Sequence, residues 1–487
     1  METINNTMGR RVMFTPAHLT RTDLQHKLGI GLSEEAIKKV QIFLHRIIIK
    51  NTYLNSKDNE GNEGFVQISK TERRTIFGKE YIALTDLLQS KNIVEVAKID
   101  WVNKTTGEIH EVEAYGKGHS TKKYRIVGYT SFRRTDVTED TYIVSKLNKL
   151  RSKGTEAHAI YSVLQSNTDL LQLKDSQELR ESLTIYYRTR DIMLTGEEYV
   201  AFFNSVETPI TVDTFGNRFH AKHTTLKRVF RQYLEFQGFE GKPLVNIDIV
   251  NSQPLLLSLI TPELVQTLAE ECAEAIPILE KYCGMKDFNK FRNLCLKGKI
   301  YEYIMKGFKQ LYDIEINRDE AKDVFYLACY SSYPKAPENI GSKVMALITR
   351  SKDTYHVGRF TDKQMKPLAL YFIRSCFPSL FNLNLEIKKL NWKNLANHNK
   401  KQYKMHANSP MLAQRIESSL LLKLCAANIN QAGILFTTIH DSFLVMEKDA
   451  LVVRRVIQAT FEQLHLPKPR VKTETVHQVP STMTVAA

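Results

Sequence analysis

Two aspartates sit where the surrounding pattern calls for apolar residues. Asp441 follows His440 inside GILFTTIHDSFLVME, Gly433 to Glu447, between the runs Ile434, Leu435, Phe436 and Phe443, Leu444, Val445. That pattern predicts a β-hairpin with the polar pair at its tip. Asp248 interrupts a second apolar run, LVNIDIVNSQPLLLSL over 244–259. There Leu244, Val245, Ile247 and Ile249 predict a buried strand, ended at Asn251 and Ser252, with Pro254 opening a helix. A carboxylate between apolar strands is costly unless a positive group compensates it. Hard oxygen ligands suit magnesium. If the two carboxylates converge, they would hold two cations about 4 Å apart, the arrangement that nucleotidyl transfer uses. Taken singly, each reads equally as a turn or strand-end residue satisfied by local backbone donors.

A third stretch supplies positive charge. In INRDEAKDVFYLACYSSY, residues 316–333, Arg318, Lys322, Tyr326 and Tyr330 recur at every fourth position. At about 100° per residue each step drifts by about 40°, so the four share one helix face. Two cations followed by two rings suit a nucleoside triphosphate, with Arg and Lys on the phosphates and the rings against base and sugar. A surface helix with snorkelling cations is the plainer reading. A fourth stretch, DTFGNRFHAKHTTLKRVFRQYL over 213–234, turns at Gly216 and Asn217. It then carries Arg218, Lys222, Lys227, Arg228 and Arg231, with Phe219, Phe230 and Tyr233 interleaved. Such a run suits tracking a phosphate backbone without reading bases, and equally a solvated basic helix.

The rest of the chain must position these groups. It has 487 residues, room for two or three domains, and its 43% hydrophobic and 25% charged residues are those of an ordinary globular protein. Lys and Arg number 68 against 53 Asp and Glu, and this surplus of +15 favours a polyanionic partner, nucleic acid before membrane. Six cysteines, all beyond residue 270 and without a CxxC pair, suggest reduced thiols rather than a disulfide frame or a zinc site. No apolar leader opens the chain, and no apolar run approaches the roughly 18 residues a membrane span needs. A cytoplasmic protein of a bacterial or phage-infected cell is therefore expected.

Residues 1–30 are polar and rich in Thr and Arg, and read as an arm. From 31 to 135 the pattern is helix, loop, helix, then an alternating strand and a second strand, KKYRIVGY, after the turn at Gly116 to His119. That is the plan of a winged helix, whose wing would lay Lys122, Lys123 and Arg125, with Lys117, on a DNA backbone. The same module also serves as a protein-docking unit. Residues 136–210 read as further helices, a linker or thumb-like region.

Together the four stretches resemble family A DNA polymerases, the polymerase I-like enzymes, and their relatives the phage-type single-subunit RNA polymerases. In those families a palm strand carries the first Asp, matched here by Asp248. A fingers helix carries R-x3-K-x3-aromatic-x3-Y, matched by Arg318, Lys322, Tyr326 and Tyr330, and a palm hairpin reads H-D, matched by His440 and Asp441. GNRFHAKHTTL is similar to the template–primer segment, and NSPMLAQRIESSLLLKL, 408–424, to the helix before the hairpin, with Asn408, Pro410 and Glu417 in matching places. The resemblance spans about residues 210 to 465. It implies an α+β fold: a right-hand polymerase with an antiparallel palm sheet, helical fingers and thumb, joined to the N-terminal winged-helix-like and helical module. Residues 211–470 would form palm and fingers, and 471–487 a tail.

The same resemblance implies a template-directed nucleotidyltransferase, a DNA polymerase first, with an RNA polymerase or primase as alternative. Asp248 and Asp441 would bind two magnesium ions, for which manganese can substitute. Lys322 would also protonate the pyrophosphate, and Gln253 would stand at the sugar. Arg218, Lys222, Lys227, Arg228, Arg231, Asn408, Gln414 and His440 would hold primer–template DNA or RNA. Nucleoside triphosphates are the implied substrates and accessory replication proteins possible partners. Departures from the pattern bear on the sugar. Gln253 replaces the Glu of the DNA enzymes and the Gly of the RNA enzymes, Ser331 replaces the Gly after Tyr330, and Ser442 follows Asp441 as in the RNA enzymes. Tyr326 keeps the aromatic of the DNA enzymes. The only upstream D-x-E, Asp58 to Glu60, falls in a polar loop, so no proofreading exonuclease is expected. Rival readings are a DNA-binding replication protein with an inactive palm, and a template-independent nucleotidyltransferase. The compact architecture suggests a phage or other mobile element.

Overall fold

The computed structural model describes residues 11–29, 31–53, 64–102, 109–113, 121–189, 194–334, 339–344, 362–392, 395 and 404–476. Its organising element is a four-stranded antiparallel sheet in the order Phe436–Ile439, Ser442–Met446, Leu244–Ile249, Val471–Thr475. The apolar run around Asp248 does form a strand, and the Gly433–Glu447 stretch does form the hairpin. Side chains alternate with the strand period of two. Val245, Ile247, Ile249, Phe443 and Val445 enter the largest apolar core, while Leu244, Leu444 and Met446 enter a second one. Asp248 lies on the Leu244 face, at the end of the strand where that second core gives out.

The fourth strand corrects an expectation. Residues 471–475 are part of this sheet rather than a tail, pairing from Val245 opposite Thr475 to Ile249 opposite Val471. The remainder of the expected tail, 477–487, lies outside the described residues.

Helices enclose the sheet's larger core. Ser252–Leu259 follows the first strand directly, and Arg318–Tyr330 is capped by Asn317, whose side chain accepts from Glu320 N in a reciprocal capping box. The Asn408–Glu417 helix runs into a π-helical turn, Ser418–Cys425, before resuming as Ala426–Gln431. Gly307 lets the Ile300–Tyr312 helix approach Phe372 of the Asp362–Cys376 helix, because any Cβ there would overlap that ring.

The N-terminal part has its own core, built from Phe14, Ile37, Phe43, Phe77, Leu88 and Tyr124 among others. Helix Glu34–Tyr53, strand Val66–Gln67, helices Lys70–Phe77 and Tyr81–Ser90, and strands Val94–Val96 and Lys123–Ile126 follow in that order. The three strands pair with Lys123–Ile126 in the middle. A separate ribbon, Lys98–Val102 with Ile109–Glu113, projects between the last two. Residues 114–120, where the expected turn falls, lie outside the described residues.

The expected arm, 1–30, needs revision. Val12–Pro16 pairs with Phe132–Asp136, and Thr20 caps the helix Arg21–Leu28, so Phe14, Leu24 and Leu28 are buried. The polar composition concealed a short apolar inward face. The 136–210 stretch is not purely helical either: Leu171–Leu173 pairs with Leu234–Phe236, and Ile210–Val212 with Phe219–His220. All six cysteines are free thiols. Among the described residues no helix is long and apolar enough to cross a membrane.

Candidate active site

The sheet register brings the two aspartates together. Asp248 stands opposite Ser442, the residue after Asp441. The chain turns away from each of them through a left-handed residue: Asn251 at φ 54° and His440 at φ 56°. A non-glycine residue there costs about 1 kcal/mol, so both turns hold strained backbone beside the carboxylates. The Ser252 hydroxyl, at the start of the following helix, donates to Asp441 Oδ2. Burial and the neighbouring charge of Asp441 push the Asp248 carboxyl above its ordinary range, against the pull of Lys472. Like charges held together out of water are what a divalent cation relieves. The donor set, hard carboxylate oxygens, fits magnesium or manganese. Among the described residues no cluster of three or more His, Cys, Asp or Glu could hold a metal.

The predicted helix face is docked along the residues that follow Asp248. Arg318 Nη2 donates to Asn251 Oδ1 at 3.0 Å, and the Tyr330 hydroxyl donates to Gln253 Oε1 at 3.2 Å. Between them, Tyr326 is half-buried, and its phenol is pushed up by burial and by the charges of Asp441 and Glu417. Lys322 is exposed. Arg318 also lies over the Tyr301 ring at 5.0 Å and 3.8 Å from Glu302.

A buried carboxylate backs this face. Glu417, 1% exposed, accepts from Arg218 Nη2 at 2.7 Å and Nε at 3.0 Å, and from Gln253 Nε2. Burial pushes its carboxyl up to about 7, with Arg218 opposing and Asp441 reinforcing. Gln253 therefore bridges Tyr330 and Glu417. The turn carrying Arg218 is built on Asp213, whose oxygens accept from the backbone N–H of Phe215, Gly216 and Arg218 and contact His220 Nε2 at 3.0 Å. A Cβ at Gly216 would fall 2.8 Å from Gln414 Cβ, an atom that cannot rotate away, so glycine suits the turn. Gln414 is thus packed against the turn.

Several expected nucleic-acid contacts are elsewhere. Lys222, 2% exposed, donates to the Phe203 carbonyl at 2.8 Å, and burial pulls its ammonium down to about 7. Asn408, 1% exposed, donates to the carbonyls of Ile387 and Leu390. Neither can meet a phosphate backbone without unpacking. Arg231 is half-buried and donates to the Leu226 carbonyl. Lys227 and Arg228 are exposed, the latter 3.3 Å from Glu474, and His440 is exposed at the hairpin tip with its ring 6.4 Å from that of His220. Lys123 and Arg125 belong to the N-terminal sheet, with Lys122 just before the strand, and Arg125 pairs there with Glu95 at 2.7 Å.

Four residues join the site that the motifs did not nominate as site residues: Glu417, Asp213, Ser252 and Lys472. Lys472 Nζ is 2.9 Å from Asp248 Oδ2. For Glu417 the usable signal was its match to the helix that precedes the hairpin in the resembling families. Lys472 had none, because its strand reads as a charged terminal segment.

No family model matches the chain. No curated protein matches it in sequence. Among solved structures it is similar to the POL domain of Pol1 from M. smegmatis, solved in complex with DNA primer-template and dNTP, at 12% identity and TM-score 0.31. The match covers 65% of this chain and 59% of that one, so the chain spans under two thirds of its length.

Proposed function

We propose that the chain is a template-directed nucleotidyltransferase, a DNA polymerase without a proofreading exonuclease, whose sheet and enclosing helices are the palm and fingers of a right hand. One observation carries the reading: the register that sets Asp248 beside Asp441 also docks Arg318 and Tyr330 on Asn251 and Gln253. Two unrelated aspartates would have no reason to lie beside a cation–aromatic helix face.

Asp248 and Asp441 would hold divalent magnesium, which supplies Lewis-acid stabilisation of charge on the reacting phosphate oxygens. The protein's own groups do the rest. Arg318 and Lys322 draw the triphosphate along one helix face, where preorganised positive charge is worth most as negative charge shifts to the leaving group. Attack of a primer 3′-hydroxyl on the α-phosphorus forms one P–O bond and breaks another, releasing pyrophosphate. Lys322, exposed on that face, would protonate the pyrophosphate. Tyr326 and Tyr330 offer rings to the base and sugar, and Arg218, anchored on Glu417, lies behind them. Lys227 and Arg228 are open to a phosphate backbone. The helix–strand–helix–helix–strand–strand order of the N-terminal module supports its reading as a winged helix on duplex DNA.

RNA synthesis is the second reading, favoured by Ser442, with Gln253 leaving the choice of sugar open. A neutral amide stands at the sugar position, and the Ser442 hydroxyl, buried on the Ile439 carbonyl, adds no third carboxylate. Primer extension decides. On a primed template with magnesium, wild type extends with dNTPs and Asp248→Ala falls by at least about a thousandfold while binding the duplex normally. Unprimed synthesis from NTPs selects the second reading, products that ignore template sequence select a template-independent transferase, and no incorporation under any condition overturns both polymerase readings.

A further inference from the structure

We propose that Lys472 is a positioning residue that couples binding of the catalytic cation to binding of the triphosphate, an inference that rests on the nucleotidyltransferase reading above. Lys472 comes from the edge strand of the site's sheet and stands opposite Asp248 in register. Its Nζ is 2.9 Å from Asp248 Oδ2 and 2.8 Å from Glu474 Oε1. The carboxylate is sunk, 19% exposed, whereas the lysine is 46% exposed. The ammonium can swing outward and the carboxylate cannot follow.

A cation and an ammonium cannot both hold the same carboxylate oxygen at close range, because two positive charges a few ångströms apart repel. A divalent ion arriving at Asp248 therefore has to displace Lys472. In the absence of nucleotide the displaced ammonium keeps only Glu474, which Arg228 already shares at 3.3 Å. A triphosphate changes that balance. Arg318, which would hold it, is fixed to Asn251, three residues past Asp248. Arg470, just before the edge strand, donates to the Lys297 carbonyl; a Cβ on the neighbouring Gly298 would lie 3.1 Å from its Nη1 and 3.8 Å from Asn251 Nδ2. Arg318 thus holds the Asn251 turn and Arg470 lies by Gly298 beside it, three residues past the carboxylate that Lys472 holds, and phosphate oxygens brought there give the released ammonium a new anion. The cation binds well once the nucleotide is present and poorly before. By linkage, the nucleotide gains the same factor from the cation.

The test is calorimetric and uses the full chain. Mn²⁺ is titrated alone and then with a nonhydrolysable dNTP analogue, into wild type, Lys472→Met, Lys472→Arg and Glu474→Gln. Lys472→Met is expected to bind Mn²⁺ alone about fivefold more tightly, the upper range for a half-exposed ion pair, and to lose about the same factor of cation–nucleotide coupling. Lys472→Arg retains the wild-type pattern. Glu474→Gln, which leaves the ammonium only Asp248, weakens Mn²⁺ alone, and it provides the test if Lys472→Met fails to fold. A lysine that merely staples the edge strand would shift stability without this opposed pair of changes. Unaltered Mn²⁺ affinity and coupling in both Lys472→Met and Glu474→Gln, in a protein whose wild type extends primers, overturns the coupling and leaves the polymerase reading standing. A wild type that binds no nucleotide and extends no primer overturns both.

Discussion

At the scale of single residues, burial decides which charges can serve a ligand. Lys222 and Lys227 lie five positions apart in one cationic run, yet one is 2% exposed and the other faces solvent. Replacing Lys222 by Met is expected to change primer–template affinity by less than about twofold. Lys227→Ala should weaken it and lower the salt-dependence slope by about one. Fluorescence anisotropy across a salt series measures both, and equal losses would mean that Lys222 reaches the nucleic acid after all. Glu417 gives a pH signature. Its carboxyl is raised from an ordinary 4.5 to about 7. A raised carboxyl binds its proton more tightly when folded, so its stability contribution is full below about pH 4.5 and is lost as pH rises through about 7. Urea midpoints should fall across that window in wild type, and Glu417→Gln should flatten the fall. An identical slope in the variant would put the titration on another group.

At the scale of elements, close approaches fix the geometry that the site inherits. Helix Gly196–Phe203 meets helix Gln177–Arg188 at Gly196, whose N–H donates to the Thr184 hydroxyl at 2.7 Å. A Cβ at Gly196 would land inside the Arg180 carbonyl, and backbone cannot rotate aside as a side chain can. Gly196→Ala should therefore cost about 2–3 kcal/mol of stability. Gly284→Ala, where a Cβ meets open space, should cost almost nothing. Urea denaturation of the two variants checks the contrast.

Elements also show what the residue pattern could reveal. The Asp248 strand and the hairpin were legible through apolar patterning within one window, and the Arg318–Tyr330 helix through its four-residue spacing; the polar residues that stand out in those windows are the ones the candidate site gathers. The edge strand Val471–Thr475 was not. Its pattern VKTET carries one buried residue, and an edge strand needs only one face and one partner, so charge at alternate positions looks like a solvated tail. Lys222 and Asn408 misled for the opposite reason. Their burial comes from segments far away in sequence, Phe203 for one and the 387–390 carbonyls for the other, and no local spacing encodes that.

At the scale of the whole molecule, the excess of +15 charges and an N-terminal core separate from the two that the sheet enters suggest a division of labour. The C-terminal part would hold the primer end at Asp248 and Asp441, while the N-terminal module would bring the half-buried Lys122 and Lys123 to a second stretch of duplex. Each phosphate neutralised releases counterion, contributing about 0.9 to the slope of log affinity against log salt. If both parts grip one duplex, replacing Lys122 and Lys123 together by Ala should lower that slope by nearly two. Affinity near about 150 mM salt should drop, with incorporation at saturating primer–template unchanged, because the lost contacts lie outside the chemical step. Anisotropy and single-turnover extension on the same long duplex read the two quantities apart. On a duplex too short to reach the N-terminal module the double variant should match wild type. A slope unchanged on long duplex would remove this sheet from the nucleic-acid surface and leave its helices and strands to dock a protein instead.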